Sequence, residues 1–281
     1  MTTERAELTA PTARVGIAGW TYPAWRGDFY PAGLAHRREL EYASSKLSTI
    51  EVNGTFYAMQ KPASFRSWAE QTPDDFVFSL KGGRFITHMK RLRDVEVAVA
   101  NYFATGPLAL GPKLGAVLWQ LPPNFAFDAD LVRAFLRLLP QDTVQAEALA
   151  ARHDERVPEP ASAVGPPRRV RHAVEARHPS FGSAESVRLM REHGVALVVA
   201  DSAKHWPMLE EATADFVYAR LHGDIELYAS GYSASALDVW AQRVRGWLAE
   251  GLDVLLYFDN DAKGYAPHDA MALAERLSPT G

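Results

Sequence analysis

Charged and polar side chains recur at the ends of short apolar segments. The acidic members are Glu51, Glu175, Asp201 and Asp259, the basic members are Lys81, Arg177 and Arg220, and Asn53, His222 and Asn260 accompany them. Burying a charge costs several kcal/mol unless the charge is paired or hydrogen-bonded. If these ends meet in the fold, the set therefore forms either a ligand site or a salt-bridge network that neutralises itself. We favour a ligand site for the set as a whole.

The carboxylates suggest two kinds of chemistry. Two carboxylates on either side of a glycosidic bond could hydrolyse it, one as the acid and the other as nucleophile or base. The same oxygen ligands could hold a divalent metal together with His222. Three cations at the same place would repel a metal ion, so the prediction is no metal site and no cofactor, with a divalent metal as the alternative.

The cations favour an anionic substrate. Arginine is the preferred bidentate partner of phosphates and carboxylates, so Lys81, Arg177 and Arg220 are predicted to hold a negative charge. Glu175 and His222 are the predicted catalytic acid/base pair. The remaining polar members would orient the substrate: Glu51, Asn53, Asp201, Asp259 and Asn260. A Schiff base on Lys81 is disfavoured, because neighbouring carboxylates would raise the pKa of its amine.

An aromatic cluster follows the first apolar segment, with Trp20, Tyr22, Trp25, Phe29 and Tyr30 close together. Aromatic rings of this kind can stack on sugars or nucleobases. Alternatively, they plug the end of the fold, as the nearby prolines of a packed loop would favour. Trp20 and Tyr22 are the two predicted to contact the substrate.

Short apolar segments alternate with segments of helical periodicity, which is typical of βαβ units and a parallel sheet. The predicted strands are Val15–Trp20, Thr49–Phe56, Phe76–Lys81, Gly115–Leu121, Arg171–Arg177, Ala196–Asp201, Phe216–His222 and Asp253–Asp259. Eight strands in a chain of this length predict a single TIM-type (β/α)8 barrel, with an open doubly wound sheet as the alternative. Within Phe216–His222, Tyr218, Arg220 and His222 share one face, which a barrel would turn inward. Barrel enzymes carry their catalytic groups where the strands end.

Two segments depart from this alternation. Residues 141–171 are rich in proline and form a predicted long connection between strands 4 and 5, with helical character over Val144–His153. Residues 1–14 lack the apolar core of a signal peptide and are predicted to be a flexible segment. The barrel domain is predicted to span residues 15–281.

Composition excludes several classes of protein. The 281 residues carry 30 Lys and Arg against 34 Asp and Glu, a net charge of −4, and no Cys. Disulfides and thiolate chemistry are excluded, and nucleic acid is a disfavoured partner. No apolar run has the length of a membrane span. We therefore predict a cytoplasmic protein, with a small molecule as its partner, no membrane contact and an undetermined oligomeric state.

Several blocks of sequence together resemble a known family. They are Gly19–Pro31, Glu51–Tyr57, Lys81–His88, Trp119–Phe125, Glu175–Phe181, Ala219–Gly223, Tyr257–Asp261 and Gly264–Pro267. In this order they are similar to the YecE-like proteins, the family of domain of unknown function 72. The resemblance covers Val15 to Leu277 and implies a TIM-type barrel. It supplies no activity and no catalytic residues.

The function predicted from these observations is that of an enzyme, a hydrolase- or isomerase-like barrel protein that acts on a small polar or anionic substrate by acid/base chemistry. A sugar, a sugar phosphate or a nucleotide fits such a site. Two alternatives remain: a non-catalytic ligand-binding barrel, and a nucleic-acid-processing protein.

Overall fold

A parallel sheet organises the part of the chain that the computed structural model describes, residues 10–278. Its strands are β1 (Ala13–Ala18), β2 (Thr49–Val52), β3 (Val77–Lys81), β4 (Leu114–Gln120), β5 (Arg171–Glu175), β6 (Ala196–Leu197), β7 (Val199–Asp201), β8 (Phe216–Leu221) and β9 (Asp253–Phe258). The order across the sheet is β6-β5-β4-β3-β2-β1-β9-β8-β7, and all neighbours are parallel. The two outermost strands of this order, β6 and β7, are separated in the chain by Val198 alone. The sheet is therefore a nearly closed barrel.

Helices connect the strands along the outside of the barrel. They are α1 (Glu39–Ser44), α2 (Gly54–Tyr57), α3 (Pro62–Glu70), α4 (Glu96–Ala104), α5 (Ala129–Leu138), α6 (Thr143–Ala150), α7 (Ala184–Glu192), α8 (Ala234–Ala249) and α9 (Ala266–Leu277). Asp128, Asp142, Ser183 and Ser233 accept hydrogen bonds from backbone N–H groups at the starts of α5, α6, α7 and α8. Such caps satisfy donors that a helix cannot satisfy internally.

The two faces of the strands take part in different cores. In β8, Val217, Ala219 and Leu221 pack outward in the core that the helices share. Phe216 and Tyr218 belong to the smaller core inside the barrel. Side chains alternate between the faces of a strand, so the inward face of β8 continues from Tyr218 to Arg220, as the sequence predicts.

Hydrogen bonds between side chains cross the barrel below its carboxyl end. The Tyr257 hydroxyl donates to Ser79 Oγ at 2.7 Å and lies 2.9 Å from Thr49 Oγ1. Gly16 permits a close approach here, because a Cβ atom at that position would lie 1.8 Å from the Thr49 carbonyl oxygen. The polar inner face thus begins in the middle of the barrel and leads up to its carboxyl end.

The predicted second strand is too long. It was expected to reach Phe56, but β2 ends at Val52 and the chain then turns into α2. The Thr55 hydroxyl lies within hydrogen-bonding distance of the carbonyl oxygens of Val52 and Lys81, 2.9 and 2.7 Å away. These contacts stabilise a helical turn directly after the strand, where the apolar character of the segment had suggested extended chain. Each of the eight predicted strands overlaps an observed strand, and the sixth is divided into β6 and β7.

The long connection of residues 141–171 is ordered by α6 and by backbone contacts at both ends. Asp142 and Arg169 form an antiparallel bridge, and Ala161 N–H donates to the Ala104 carbonyl at 2.8 Å. Residues 1–14 were predicted to be flexible. The first nine of them lie outside the described residues, and the last two already belong to β1, which begins at Ala13. Among residues 10–278 there is no helix with the length and hydrophobicity needed to cross a membrane.

Candidate functional site

A buried arginine occupies the centre of the barrel at the carboxyl ends of its strands. Arg220, fully buried at the end of β8, donates to both oxygens of Glu51, at 3.1 and 2.9 Å. It also donates to Glu175 at 2.6 Å and to Asp259 at 2.8 Å. Tyr218, two residues earlier on the same inward face, donates its hydroxyl to Glu51 at 2.7 Å. Three carboxylates from different strands therefore converge on one guanidinium, and we call this group the Arg220 cluster.

A second arginine extends this cluster. Arg177 donates to Glu175 at 2.7 Å and to Gln120 at 3.2 Å, and its guanidinium lies 4.1 Å from the ring centre of Trp206. Burial by itself would raise the pKa of Glu175, but the charges of Arg177 and Arg220 lower it well below its usual range. Burial acts in the same direction on Asp259, and Arg220 and His222 outweigh it, so that the pKa of Asp259 falls to about 2. Both carboxylates are ionised at neutral pH.

His222 is enclosed by the same cluster. Its imidazole is fully buried, and the rings of Trp206 and Tyr228 lie against it, with centroids 5.4 and 5.3 Å away. Nδ1 lies 3.0 Å from an oxygen of Asp259, and Nε2 lies 3.8 Å from Glu175. Neither ring nitrogen has a well-aligned hydrogen bond. The predicted catalytic pair is thus brought together, beneath the surface of the site.

Above the Arg220 cluster lies an open polar cavity of about 620 Å³, a size typical of small-molecule sites. Its acidic and basic lining residues are Lys81, Arg84, His88, Arg177, Asp259 and Asp261. Asn53 and Tyr22 also line it, and the buried side-chain oxygen of Asn53 has no hydrogen-bond partner. The walls of the polar cavity therefore carry groups of both signs and an unused hydrogen-bond acceptor.

Lys81 is the buried cation of this cavity. Lys81 is the last residue of β3 and is only 8% exposed. Its ammonium lies 4.7 Å from the ring centre of Phe56. No carboxylate oxygen of residues 10–278 lies within 4.0 Å of this nitrogen. Burial and the charge of Arg220 lower the pKa of Lys81, although Glu51 and Asp259 oppose them. A buried cation without an ion pair favours an anion in the cavity.

The surroundings shift the pKa of two lining residues: that of Asp261 is raised and that of His88 is lowered. Burial and the charge of Asp259 raise the pKa of Asp261 to about 6. Burial and the charge of Lys81 lower the pKa of His88, which keeps its imidazole neutral at neutral pH. Groups of this kind can exchange protons with a bound molecule.

The loop after β8 shapes one wall of the polar cavity. Tyr228 has a φ of 62°, a left-handed conformation that is unfavourable for a residue with a side chain and that occurs at functional sites. Gly223 begins this loop with a φ of 127°, and a Cβ atom there would lie 2.3 Å from the Glu226 carbonyl oxygen. The glycine permits the tight turn that brings Tyr228 over the cavity.

Three residues predicted to contact the substrate, Trp20, Asp201 and Asn260, lie outside both the Arg220 cluster and the polar cavity. The side chain of Asp201 accepts a hydrogen bond from Tyr232 at 3.1 Å, and the residue lines a separate cavity beyond Trp206. The Asn260 amide donates to the Ser230 carbonyl and to Asp269, at 2.9 and 2.8 Å, within the protein. Trp20 packs edge-on against Trp68 of α3, at 5.6 Å between centroids. Of the aromatic residues after β1, Tyr22 lines the polar cavity.

Sequence reasoning missed several residues of the lining. Asp261, Arg84 and Tyr228 lie three to seven residues beyond a strand end, where alternation no longer indicates direction. Asp261 had one usable signal, because it follows Asp259 by two residues and could share its side of the chain. The other two are placed by loop geometry that periodicity does not report.

The carboxylates of the Arg220 cluster surround a guanidinium. Among residues 10–278, no group of three or more His, Asp or Glu side chains is placed to hold a metal ion. The point at which Glu51, Glu175 and Asp259 converge is occupied by the guanidinium of Arg220.

Comparison with known proteins gives a consistent result for nearly the whole chain. A family model described as protein of unknown function DUF72 matches residues 14–281. The chain belongs to the DUF72 family. This confirms the resemblance found in the sequence blocks.

Relatives of this DUF72 protein are known as sequences and as structures. UPF0759 protein YecE of Escherichia coli K12 is 29% identical over 194 residues, which is 67% of this chain and 58% of that relative. UPF0759 protein YunF of Bacillus subtilis is 30% identical over 131 residues, 44% of each chain. A DUF72 family crystal structure from Thermotoga maritima has a TM-score of 0.75 and 26% identity, covering 95% of this chain and 99% of its own. One from Enterococcus faecalis, with a TM-score of 0.70, 17% identity and 95% coverage of both chains, supports the fold alone.

Proposed function

We propose that this DUF72 protein is an enzyme that binds a small anionic molecule in the polar cavity and acts on it by acid/base chemistry. The observation that carries the proposal is Lys81, a buried ammonium that faces the cavity without a carboxylate within 4.0 Å in the described chain. The desolvation of a buried cation is offset only by a counter-charge or by hydrogen bonds. An anionic group on the ligand supplies both.

The barrel that supports this site is of the (β/α)8 type in our proposal. Counted as one strand with an interruption at Val198, β6 and β7 leave eight strands instead of nine. The first half of this strand pairs with β5 and the second half with β8, which supports a closed ring of eight. In such barrels the catalytic groups lie at the carboxyl ends of the strands, where the polar cavity is found.

Anion binding would use the cations of the lining. Lys81 contributes a point charge, and Arg84 and Arg177 contribute guanidinium groups that can hold a phosphate or a carboxylate through two hydrogen bonds. Arg177 is already oriented by Glu175 and Trp206, so little side-chain entropy is lost when a ligand binds. A sugar phosphate or a nucleotide fits this chemistry better than a neutral sugar.

Proton transfer in this proposal belongs to Asp261 and His88. With a pKa of about 6, Asp261 retains its proton in a useful fraction of molecules near neutral pH and can act as the acid. A neutral His88 can act as the base. Glu175 and His222, the pair predicted from the sequence, support the site from below: Glu175 orients two arginines, and His222 contacts Asp259.

The proposal is tested first by binding. We expect phosphorylated and carboxylated metabolites to raise the melting temperature of the wild type and to have a much smaller effect on Lys81→Met. Lys46→Met, which removes an exposed lysine from the outside of the barrel, is the matched control and should respond as the wild type does. Equal responses of all three proteins would rule out Lys81 as the anion-binding group.

Turnover of any ligand found in this way then separates an enzyme from a binding protein. We expect kcat to decrease as the pH rises through about 6, where Asp261 loses its proton, and to be abolished in Asp261→Asn. A ligand that binds tightly and is recovered unchanged would instead support the non-catalytic alternative. The expected location of the enzyme, the cytoplasm, remains part of the proposal.

A further inference from the structure

A second depression, mostly apolar, adjoins the polar cavity. It has a volume of about 520 Å³, and Phe56, Tyr57 and Arg84 line both spaces. We call it the apolar groove. Its walls come from α2 and the following residues, from the π-helical turn Phe85–Met89 after β3, and from α4. Two consecutive strand-to-helix connections therefore contribute to the walls of both the polar cavity and the apolar groove.

Large apolar side chains are exposed along this groove. Tyr57 is 70% exposed, Met59 51%, Phe85 40% and Met89 63%. Single exposed apolar residues are common on proteins, but a contiguous group around a concave surface indicates a binding site. Methionine favours such surfaces, because its flexible thioether adapts to ligands of different shape.

The floor of the groove also has an unused polar group. Tyr102 of α4 is 6% exposed, and its hydroxyl is buried without a hydrogen-bond partner. The neighbouring Thr55 hydroxyl gives its one proton to a backbone carbonyl, of Val52 or of Lys81, and its oxygen is an acceptor near Tyr102 that makes no well-aligned hydrogen bond with it. A buried hydroxyl without a partner costs free energy unless a ligand satisfies it. The groove thus offers apolar walls and a buried hydroxyl at its floor.

We propose that the substrate is amphipathic, with an anionic group in the polar cavity and an acyl or aryl group in the apolar groove. This inference rests on the proposed function, because it assigns the anionic group to Lys81 and its neighbours. The shared walls carry the argument: Phe56, whose ring centre lies 4.7 Å from the Lys81 ammonium, and Arg84 line both spaces, so the polar cavity and the groove are neighbours at the anion-binding group. The occupant of the groove is therefore another part of the same ligand.

Calorimetric titration with methyl phosphate and hexyl phosphate tests this inference. A buried methylene group increases affinity by about fourfold, so we expect hexyl phosphate to bind at least about tenfold more tightly than methyl phosphate even if its chain is only partly buried. Methyl and hexyl carboxylates, acetate and heptanoate, form a second arm that shows whether the anionic group is a phosphate or a carboxylate.

Two sets of variants assign the two halves of the ligand. The double variant Met59→Ser/Met89→Ser changes exposed side chains of the groove and should remove the advantage of the hexyl chain while leaving methyl phosphate affinity unchanged. Lys81→Met should weaken both phosphates. Met208→Ser, at an exposed methionine that lines the separate cavity beyond Trp206, is the control and should change neither affinity.

The outcomes separate this inference from the function on which it rests. Equal affinities for the short and long anions, both weakened by Lys81→Met, would overturn the inference and leave the anion site in place. A hexyl advantage that is lost in the double variant, together with no effect of Lys81→Met, would overturn the proposed function. If the double variant changed a dimer into a monomer in light scattering, the groove would be an interface between two copies of the chain, and the inference would be wrong.

Discussion

Arg220 and Lys81 are buried cations at the same end of one barrel, and their surroundings are opposite. Arg220 is hydrogen-bonded to three carboxylates, whereas Lys81 faces an open cavity and an aromatic ring. The first arrangement is complete and needs no ligand. The second gains a partner when an anion binds. The difference shows that charged residues at the same end of a barrel can have different roles. Those of the Arg220 cluster stabilise the fold, and those that line the polar cavity are available to bind a ligand.

The strongest test of this contrast is the loss of Arg220. Arg220→Met removes the guanidinium that Glu51, Glu175 and Asp259 share, although Arg177 still pairs with Glu175. We expect a loss of about 3–5 kcal/mol in the free energy of unfolding. Urea denaturation at neutral pH measures it. Arg188→Met removes an exposed arginine that is 3.7 Å from Glu192 and should have little effect. If both variants were equally stable, the Arg220 cluster would not have the structural role described above.

The pH dependence of stability should have opposite signs for Asp259, which belongs to the Arg220 cluster, and Asp261, which lines the polar cavity. The pKa of Asp259 is lowered to about 2, so its ion pairs contribute fully above pH 4 and are lost as the pH falls toward 2, a change of about 2 kcal/mol. The pKa of Asp261 is raised to about 6, so stability should instead decrease as the pH rises from 4 to 6. Unfolding free energies measured from pH 2 to 7 test both signs.

Two variants assign these slopes. Asp259→Asn should flatten the acidic part of the stability curve, and Asp261→Asn should flatten the part between pH 4 and 6. A curve for Asp261→Asn that follows the wild type throughout would mean that this carboxyl is not perturbed by burial, and its assignment as the acid would be wrong.

A pair of tyrosines provides a smaller contrast. Tyr218 donates its hydroxyl to Glu51, so Tyr218→Phe should cost about 1–3 kcal/mol, because a charged acceptor loses a hydrogen bond in a buried site. Tyr102 has no partner, so Tyr102→Phe should leave stability unchanged or slightly increased. Thermal unfolding compares them. Equal losses would show that the Tyr102 hydroxyl is satisfied in solution and weaken its role in the apolar groove.

The smallest expected effect is that of Lys81→Met on stability. Removing a buried ammonium that lacks an ion pair should leave stability unchanged or increase it by up to about 1 kcal/mol, because the methionine is not penalised by desolvation. Its effect on ligand binding should nevertheless be large. A loss of stability comparable to that of Arg220→Met would show that Lys81 stabilises the fold as the Arg220 cluster does.

Parts of the site were predictable because strands obey a simple period. The alternation in β8 places Tyr218, Arg220 and His222 on one face, and the structure has the first two of these inside the barrel and His222 buried beside them. The long second strand was predicted wrongly, since side-chain hydrogen bonds of Thr55, invisible to periodicity, turn the chain into α2. Asp261 and Arg84 were missed because both lie beyond the end of a strand, where the period of two no longer applies.

The succession of strands and helices, the inward polar face of the strands and the family can all be inferred from the amino-acid sequence, because each depends on residues close together in the chain. Which charges neutralise one another and which remain available depends instead on how the strands come together in space. Glu51, Glu175 and Asp259 come from distant parts of the chain, and all three meet at Arg220, whereas Lys81 has no carboxylate within 4.0 Å among the described residues. That division depends on distances of a few ångströms across the barrel, over which Coulomb energies and desolvation change most steeply.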